Sequence, residues 1–253
     1  MQLNEIIKQK RKEIKALRPD TAVRRRPVRD PVASLRMKPF IAEIKKASPS
    51  RGIINCSADI VARACDYERG GAGAVSVLTD NSYFMGSFND LGAISAAGSL
   101  PVLCKDFIIS EAQIDQAYCC GADFILLIAA VLNVRELRIL SRRAARYSMK
   151  VLYELHDADE FEKIRHLDLE LVGINSRNLN SFTIDKDTAA ATLRSVSGSF
   201  IRVAESGIQT AEDIRRMRAA GADAFLIGTA LMTATSPART LAEFYKALEQ
   251  PCS

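Results

Sequence analysis

From residue 40 onward the chain repeats one unit: a short apolar run, a polar turn, and a helix-length amphipathic stretch. The apolar runs are Phe40–Lys45, Ala74–Thr79, Pro101–Lys105, Asp123–Ile128, Lys150–Leu155, Leu171–Asn175, Phe200–Glu205 and Asp223–Gly228. Between them, helical spacing of apolar residues predicts helices that include Ile60–Arg69, Ile114–Cys120, Val134–Tyr147, Ala158–Leu167 and Ala211–Ala220. Ser57, Asn133 and Thr210 are N-cap candidates, because their side-chain oxygens can accept the unpaired N–H groups of a first turn. Gly71, Gly121 and Gly221 each follow such a helix and supply a left-handed C-terminal cap just before the next strand. Strands spaced roughly 20 to 35 residues apart, each followed by a helix, suit a closed (β/α)8 TIM barrel better than an open doubly wound sheet. A dinucleotide-binding sheet would also carry a glycine-rich turn after its first strand, where this chain has Lys45-Lys46-Ala47-Ser48-Pro49-Ser50.

Residues 1–39 precede the first strand, and Leu3, Ile6, Ile7, Ile14 and Leu17 recur there at helical spacing. The expectation is a single domain, residues 1–253, in which an N-terminal helical extension (1–39) packs by that stripe on a barrel formed by residues 40–253. Most residues of the extension are expected to have no catalytic role. Charge is uneven: ten Lys/Arg against four Asp/Glu up to Asp30 give +6 of a net +5, leaving −1 for the remainder. Arg24-Arg25-Arg26 lacks interleaved aromatics and any nucleic-acid motif. It reads as a solvated segment or as part of an electropositive approach for a small anion. The longest apolar run, Phe124 to Leu132, is about half of what a membrane-crossing helix needs. The start of the chain lacks an apolar core of the kind a secretory signal carries. The six cysteines show no C-x-x-C spacing and there are only two histidines, so free thiols and no metal site are expected.

In a barrel of this kind, side chains two apart on a strand share a face, and active sites sit at the C-terminal strand ends. Five of the eight ends continue an inward apolar face into an ionisable or amide group: Glu43 and Lys45, Lys105, Glu154, Asn175 with Arg177, and Glu205. One charged strand end means little. Two lysines and three carboxylates converging on one mouth predict acid/base groups with shifted pKa values. No serine, histidine or cysteine there has the partners of a nucleophilic triad, which favours proton-transfer chemistry. Ser206-Gly207-Ile208 and Leu226-Ile227-Gly228-Thr229-Ala230 place glycines after the last two strands, the usual phosphate position in such barrels, and predict a phosphorylated substrate.

These residues resemble the indole-3-glycerol-phosphate synthase family. The most specific stretch is Phe40-Ile41-Ala42-Glu43-Ile44-Lys45-Lys46-Ala47-Ser48-Pro49-Ser50-Arg51-Gly52. Ser76-Val77-Leu78-Thr79-Asp80, Phe84, Gly86-Ser87, Lys105-Asp106-Phe107, Gly173-Ile174-Asn175-Ser176-Arg177, Ala204-Glu205-Ser206-Gly207-Ile208 and Leu226-Ile227-Gly228-Thr229 follow in family order. The resemblance implies conversion of 1-(2-carboxyphenylamino)-1-deoxyribulose 5-phosphate to indole-3-glycerol phosphate with loss of carbon dioxide and water, a step of tryptophan biosynthesis, without cofactor or metal. It implies Lys105 as the general acid at the substrate's carbonyl oxygen and Glu154 as the acid/base group of the dehydration. Glu43 and Lys45 would position and polarise the substrate, Lys45 by pairing with its carboxylate or acting as a second acid. Asn175, Arg177 and Glu205 would hold hydroxyls and the other catalytic side chains. Ser48, Ser206, Gly207, Gly228 and Thr229 would bind phosphate, and Phe84, Phe107, Leu126, Leu179 and Leu226 would line the anthranilate pocket. The loop Ala47–Cys56 is a candidate lid. His156 is read as a loop residue, and Tyr153 has no assigned role.

Two rivals remain at this point. An isomerase acting on an aminated sugar phosphate shares the barrel but uses a carboxylate or cysteine pair, which the Glu43, Lys45 and Lys105 set does not suit. A non-catalytic scaffold would have no physical need for several ionisable groups in one cleft. The expected partner is a phosphorylated small molecule, with no nucleic acid, no membrane and no fused second enzyme. A monomer or weak oligomer in the cytoplasm is expected.

Overall fold

A computed structural model describes residues 3–17, 24–48, 52–54, 59–179 and 181–249. Eight parallel strands, β1 (Phe40–Ile44), β2 (Ala74–Leu78), β3 (Val102–Lys105), β4 (Phe124–Ile128), β5 (Lys150–Leu155), β6 (Leu171–Asn175), β7 (Ile201–Glu205) and β8 (Ala224–Ile227), pair in chain order. The barrel closes where Phe40, Ile41 and Ala42 of β1 pair with Phe225, Leu226 and Ile227 of β8. The strands read as apolar on both faces because both are covered. Ile41, Leu103, Phe124, Leu126, Leu152, Leu171, Val203 and Leu226 fill the interior. Phe40, Ala42, Ile44, Val75, Val77, Ile125 and Leu127 point outward to the helices.

The helices are α1 (Leu3–Ala16), α2 (Pro31–Met37), α3 (Ile60–Arg69), α4 (Asn81–Phe84), α5 (Phe88–Ala97), α6 (Glu111–Cys119), α7 (Val134–Arg146), α8 (Lys186–Ser195), α9 (Ala211–Ala219), α10 (Thr229–Thr233) and α11 (Pro237–Glu249). Asn133 and Thr210 cap α7 and α9 as reciprocal capping boxes with Glu136 and Asp213. Gly71, Gly121 and Gly221 take φ of 91°, 100° and 106°, and the Ala72 N–H returns to the Tyr67 carbonyl at 2.9 Å, closing the helix end before β2. No described helix is long and apolar enough to cross a membrane.

Three readings change. The helix predicted over Ala158–Leu167 is a 3-10 turn, Asp159–Lys163. There Glu160 Oε2 accepts the His156 N–H at 2.8 Å and Asp157 Oδ1 accepts the Glu160 N–H at 3.0 Å, folding the segment back on β5 before an α-helical ladder can start. Ser57 lies outside the described residues, and Asp59 caps α3 with its carboxylate on the Val61 and Ala62 N–H groups. The buried face of α8 is built of small residues, Ala189, Ala190 and Thr192, with Leu193. The arginine run lies away from the mouth and is solvated only in part: Arg25 and Arg26 are exposed, whereas the Arg24 side chain is buried against Asp123, which immediately precedes β4 at the N-terminal end of the barrel. Arg24 also donates to the Ala122 carbonyl, and Arg26 to the Gly98 carbonyl at 2.9 Å. Among the described residues, Cys65, Cys104, Cys119 and Cys120 form no disulfide. The groups of three or more His, Cys, Asp or Glu that could hold a metal ion number none among the described residues.

Candidate active site

At the C-terminal mouth the inward register brings polar and charged side chains together from five of the eight strand ends. β1 contributes Glu43 and, one step past its end, Lys45, whose Nζ sits 2.6 Å from Glu43 Oε1. β3 contributes Lys105, which reaches across the axis to Glu154 Oε2 of β5 at 2.9 Å and to Glu205 Oε2 of β7 at 3.4 Å. Asn175 ends β6 beside Glu205, with which it pairs in register. Its Oδ1 accepts the Arg177 N–H at 2.9 Å, turning the chain so that the Arg177 guanidinium donates to the Phe182 carbonyl at 3.0 Å.

Two of the acids exist here because a neighbouring strand carries no side chain. A Cβ on Gly173 would lie 1.9 Å from Glu205 Oε1. One on Gly228 would lie 2.3 Å from Glu43 Oε1 and 2.9 Å from Lys45 Nζ. Gly228, expected at a phosphate position, therefore also makes room for the Glu43–Lys45 pair. Ser206 and Gly207 take φ of 64° and 72°, bending the backbone into the cavity wall after β7. A non-glycine residue in that region is costly, so Ser206 carries backbone strain at the site.

Burial works against the Lys105 charge, but Glu154, Glu205 and Glu43 together outweigh it and hold the amine well above the ordinary lysine range. Lys105 is thus an ammonium at any physiological pH. Burial pushes both facing carboxyls upward. For Glu154 this is overcome by Lys105, His156 and Asn175, which hold it low, whereas Glu205, facing the already ionised Glu154, is pushed up. Two buried carboxyls sharing one ammonium are thus pushed in opposite directions, Glu154 toward its ionised form and Glu205 toward its protonated form. His156, read from sequence as a loop residue, places Nε2 3.5 Å from Glu154 Oε1 and Nδ1 3.5 Å from Glu160 Oε2. Burial opposes its protonation, and Glu160, Glu154 and Glu205 raise its pKa on balance.

Glu43, Lys45, Lys105, Glu154, Asn175, Arg177, Glu205, Phe84, Phe107, Leu126, Leu179, Leu226, Ser206, Gly207, Gly228 and Thr229 all line this one cavity. The Ser48 side chain lies outside the described residues, as does part of the candidate lid; its described portion pairs Ala47 with Ile53 and Ser48 with Gly52. The Phe84 and Phe107 rings meet with centroids 6.3 Å apart, giving the cavity an aromatic wall beside the charged cluster. Tyr153 points the other way, into the helix layer. The reading of strand ends missed Phe182, Ile184 and Gln209, which come from loops with no periodic signal. It also missed Lys10, on α1, whose Nζ lies 2.6 Å from Asp80 Oδ2 and 2.8 Å from Asp106 Oδ1 in the wall of the mouth. A signal was present: Lys10 falls on the Leu3, Ile6, Ile7, Ile14, Leu17 stripe, where an apolar residue is expected.

Among solved structures, a thiamine phosphate pyrophosphorylase from Pyrococcus furiosus matches with a TM-score of 0.63 at 14% identity, covering 86% of this chain and 98% of that one. A 3-hexulose-6-phosphate synthase matches with a TM-score of 0.67 at 15% identity, covering 82% and 98%. At those identities the likeness is one of fold. Sequence similarity is more specific. The indole-3-glycerol phosphate synthase of Koribacter versatilis (strain Ellin345) is 47% identical over 203 residues, 80% of this chain and 78% of that protein. That of Bacillus cereus (strain AH820) is 44% identical over 237 residues, 92% and 94%. The family described as indole-3-glycerol phosphate synthase matches residues 3–244, a span that takes in α1 with Lys10 as well as every charged strand end of the mouth, and the chain belongs to that family.

Proposed function

We infer that this mouth closes the indole ring of 1-(2-carboxyphenylamino)-1-deoxyribulose 5-phosphate, releasing carbon dioxide and water. The observation that carries the reading is the Lys105–Glu154–Glu205 cluster, an ammonium 2.9 Å from one buried carboxyl and 3.4 Å from another, next to an aromatic wall. Ring closure needs a proton on the substrate's carbonyl oxygen as the aromatic carbon attacks, and Lys105 is the donor. The carboxylate then leaves as carbon dioxide, its bonding electrons returning to the ring. Loss of the former carbonyl oxygen as water needs a second proton on that oxygen and removal of one from the ring system, the acid/base work of Glu154. Overall one proton is taken up per turnover. These steps use proton transfer and shifts of electron pairs within the substrate.

In this reading Lys45, held by Glu43, meets the substrate carboxylate, and Asn175, Arg177 and Glu205 hold its hydroxyls and the Lys105 amine. Phe84, Phe107, Leu126, Leu179 and Leu226 take the anthranilate ring. Ser48, Ser206, Gly207, Gly228 and Thr229 take the phosphate at the β7 and β8 ends, where such barrels bind it. The chain acts as one domain, as a monomer or weak oligomer in the cytoplasm, and binds no nucleic acid. The chain has no tryptophan, so indole fluorescence reports product alone. Wild-type protein mixed with the substrate is expected to develop that signal, and Lys105→Ala and Glu154→Gln to abolish it while remaining folded. Folded wild-type protein that produces no signal overturns the reading.

A further inference from the structure

α1 lies outside the barrel, yet it sends one charge into the wall of the mouth. Lys10 is 5% exposed, less than most residues of the stripe it interrupts. Removing an ammonium from water costs several kcal/mol even after relaxation, and an apolar residue on a packed helix face would avoid that cost. Stability alone therefore does not account for a lysine here. Its contacts suggest what does. Asp106 follows Lys105 directly; its Oδ1 lies 2.8 Å from Lys10 Nζ and also accepts the Phe107 N–H at 2.7 Å. Its Oδ2 accepts the Thr79 hydroxyl at 2.7 Å, and the Thr79 N–H donates to the Lys105 carbonyl at 3.2 Å. Asp80 places Oδ2 2.6 Å from Lys10 Nζ, while its Oδ1 caps α4 on the Tyr83 N–H at 2.8 Å. α4 ends at Phe84. One ammonium thus ties the β2 end, which carries the Phe84 ring, to the β3 end, which carries the Lys105 amine.

We propose that Lys10 is a positioning residue of the active site, holding Lys105 through Asp106 and the Phe84 ring through Asp80. This rests on the reaction proposed above. Without Lys10, two buried carboxylates would face each other across the gap between the strand ends, with Glu13 of α1, 3.0 Å from Lys10, adding a third. Burial already pushes Asp106 upward, and Asp80 adds to that push, while Lys10 opposes it. Loss of the cation would drive the two ends apart and shift the Lys105 amine from its 2.9 Å contact with Glu154. A displacement of about 1 Å in a positioned group costs on the order of a hundredfold in rate.

The test uses the fluorescence assay with wild-type turnover as reference, so absence of wild-type turnover counts against the proposed reaction and not against Lys10. Lys10→Met is expected to lower kcat by about ten- to hundredfold and to raise KM, and Lys10→Arg, which keeps a cation between the carboxylates, to recover most of the loss. Asp106→Asn and Asp80→Asn retain Lys10 and separate its two roles. The first is expected to lower kcat more than it raises KM, the second to raise KM more than it lowers kcat. The proposal is overturned if Lys10→Met turns over with wild-type kcat and KM, or if the two asparagine variants change kcat and KM by equal factors. Should Lys10→Met fail to fold, the asparagine pair decides.

Discussion

At the N-terminal end of the barrel, Asp123 is fully buried, and its carboxylate accepts from the Arg29 N–H at 2.9 Å, the Val102 N–H at 2.8 Å and the Arg29 guanidinium at 3.2 Å, with Arg24 as a further ion partner. At the C-terminal end Glu205 is 2% exposed and has Lys105 as its ion partner at 3.4 Å, with no well-aligned hydrogen bond to either oxygen. The same kind of group is buried at both ends, but only one end is saturated. A saturated buried charge has no capacity left for a substrate and serves to fasten the N-terminal extension under the barrel. An unsaturated one is costly to the fold, and its open valences are what a reacting molecule can use.

On that contrast, removing the carboxylate at the N-terminal end damages the fold and leaves the chemistry. Asp123→Ala strands Arg24 and Arg29 beside an emptied site and is expected to cost about 3–5 kcal/mol in urea unfolding, with kcat per folded molecule unchanged. A change at the mouth should do the reverse. Gly173→Ala puts a methyl group where Glu205 Oε1 now sits, and turnover is expected to fall on the order of a hundredfold with a smaller loss of stability, read from steady-state kinetics beside a urea melt. The sharpest form of the contrast is Glu205→Gln. Glu205 in the folded protein keeps its proton above the pH at which an unfolded glutamate ionises. Its stabilising contribution is therefore complete below the unfolded pKa and is lost as pH rises toward the raised folded value. The amide removes that drift. Glu205→Gln is expected to lose activity and to melt roughly 2–4 °C higher than wild type at the alkaline end, the gain shrinking as pH falls below neutrality. The smallest effect belongs to neither end: Arg165, 62% exposed in its pair with Glu162, should change stability by less than about 1 kcal/mol as Arg165→Ala.

Much of this was readable from the chain. The eight strands were legible because a doubly covered strand is apolar throughout and its inward register continues past its end, which is why Glu43, Lys105, Glu154, Asn175 and Glu205 could be assigned to one mouth. Lys105 was identifiable as charged and inward; that it sits between two carboxyls pushed in opposite directions was not, since this depends on how Glu154 and Glu205 meet across the axis. Lys10 looked like one more cation in a lysine-rich helix, because its partners Asp80 and Asp106 lie at the ends of two later strands. Arg24 was misread for the same reason: an arginine run looks solvated until tertiary contacts supply its acid. The segment after β5 kept helical periodicity, but side chains bonding back to the backbone around His156 and Glu160 won locally.

Gly173 and Gly228 give the site a property that becomes visible only when it is transplanted. Each acid borrows volume from the strand before it around the barrel: Glu205 of β7 from β6, and Glu43 of β1 from the end of β8. A graft of the five charged strand ends onto another (β/α)8 scaffold would therefore fail at two of them unless the matching vacancies moved as well. Part of the inheritance of this site is empty space, and a search for its relatives by ionisable residues alone would pass over half of what makes the acids fit.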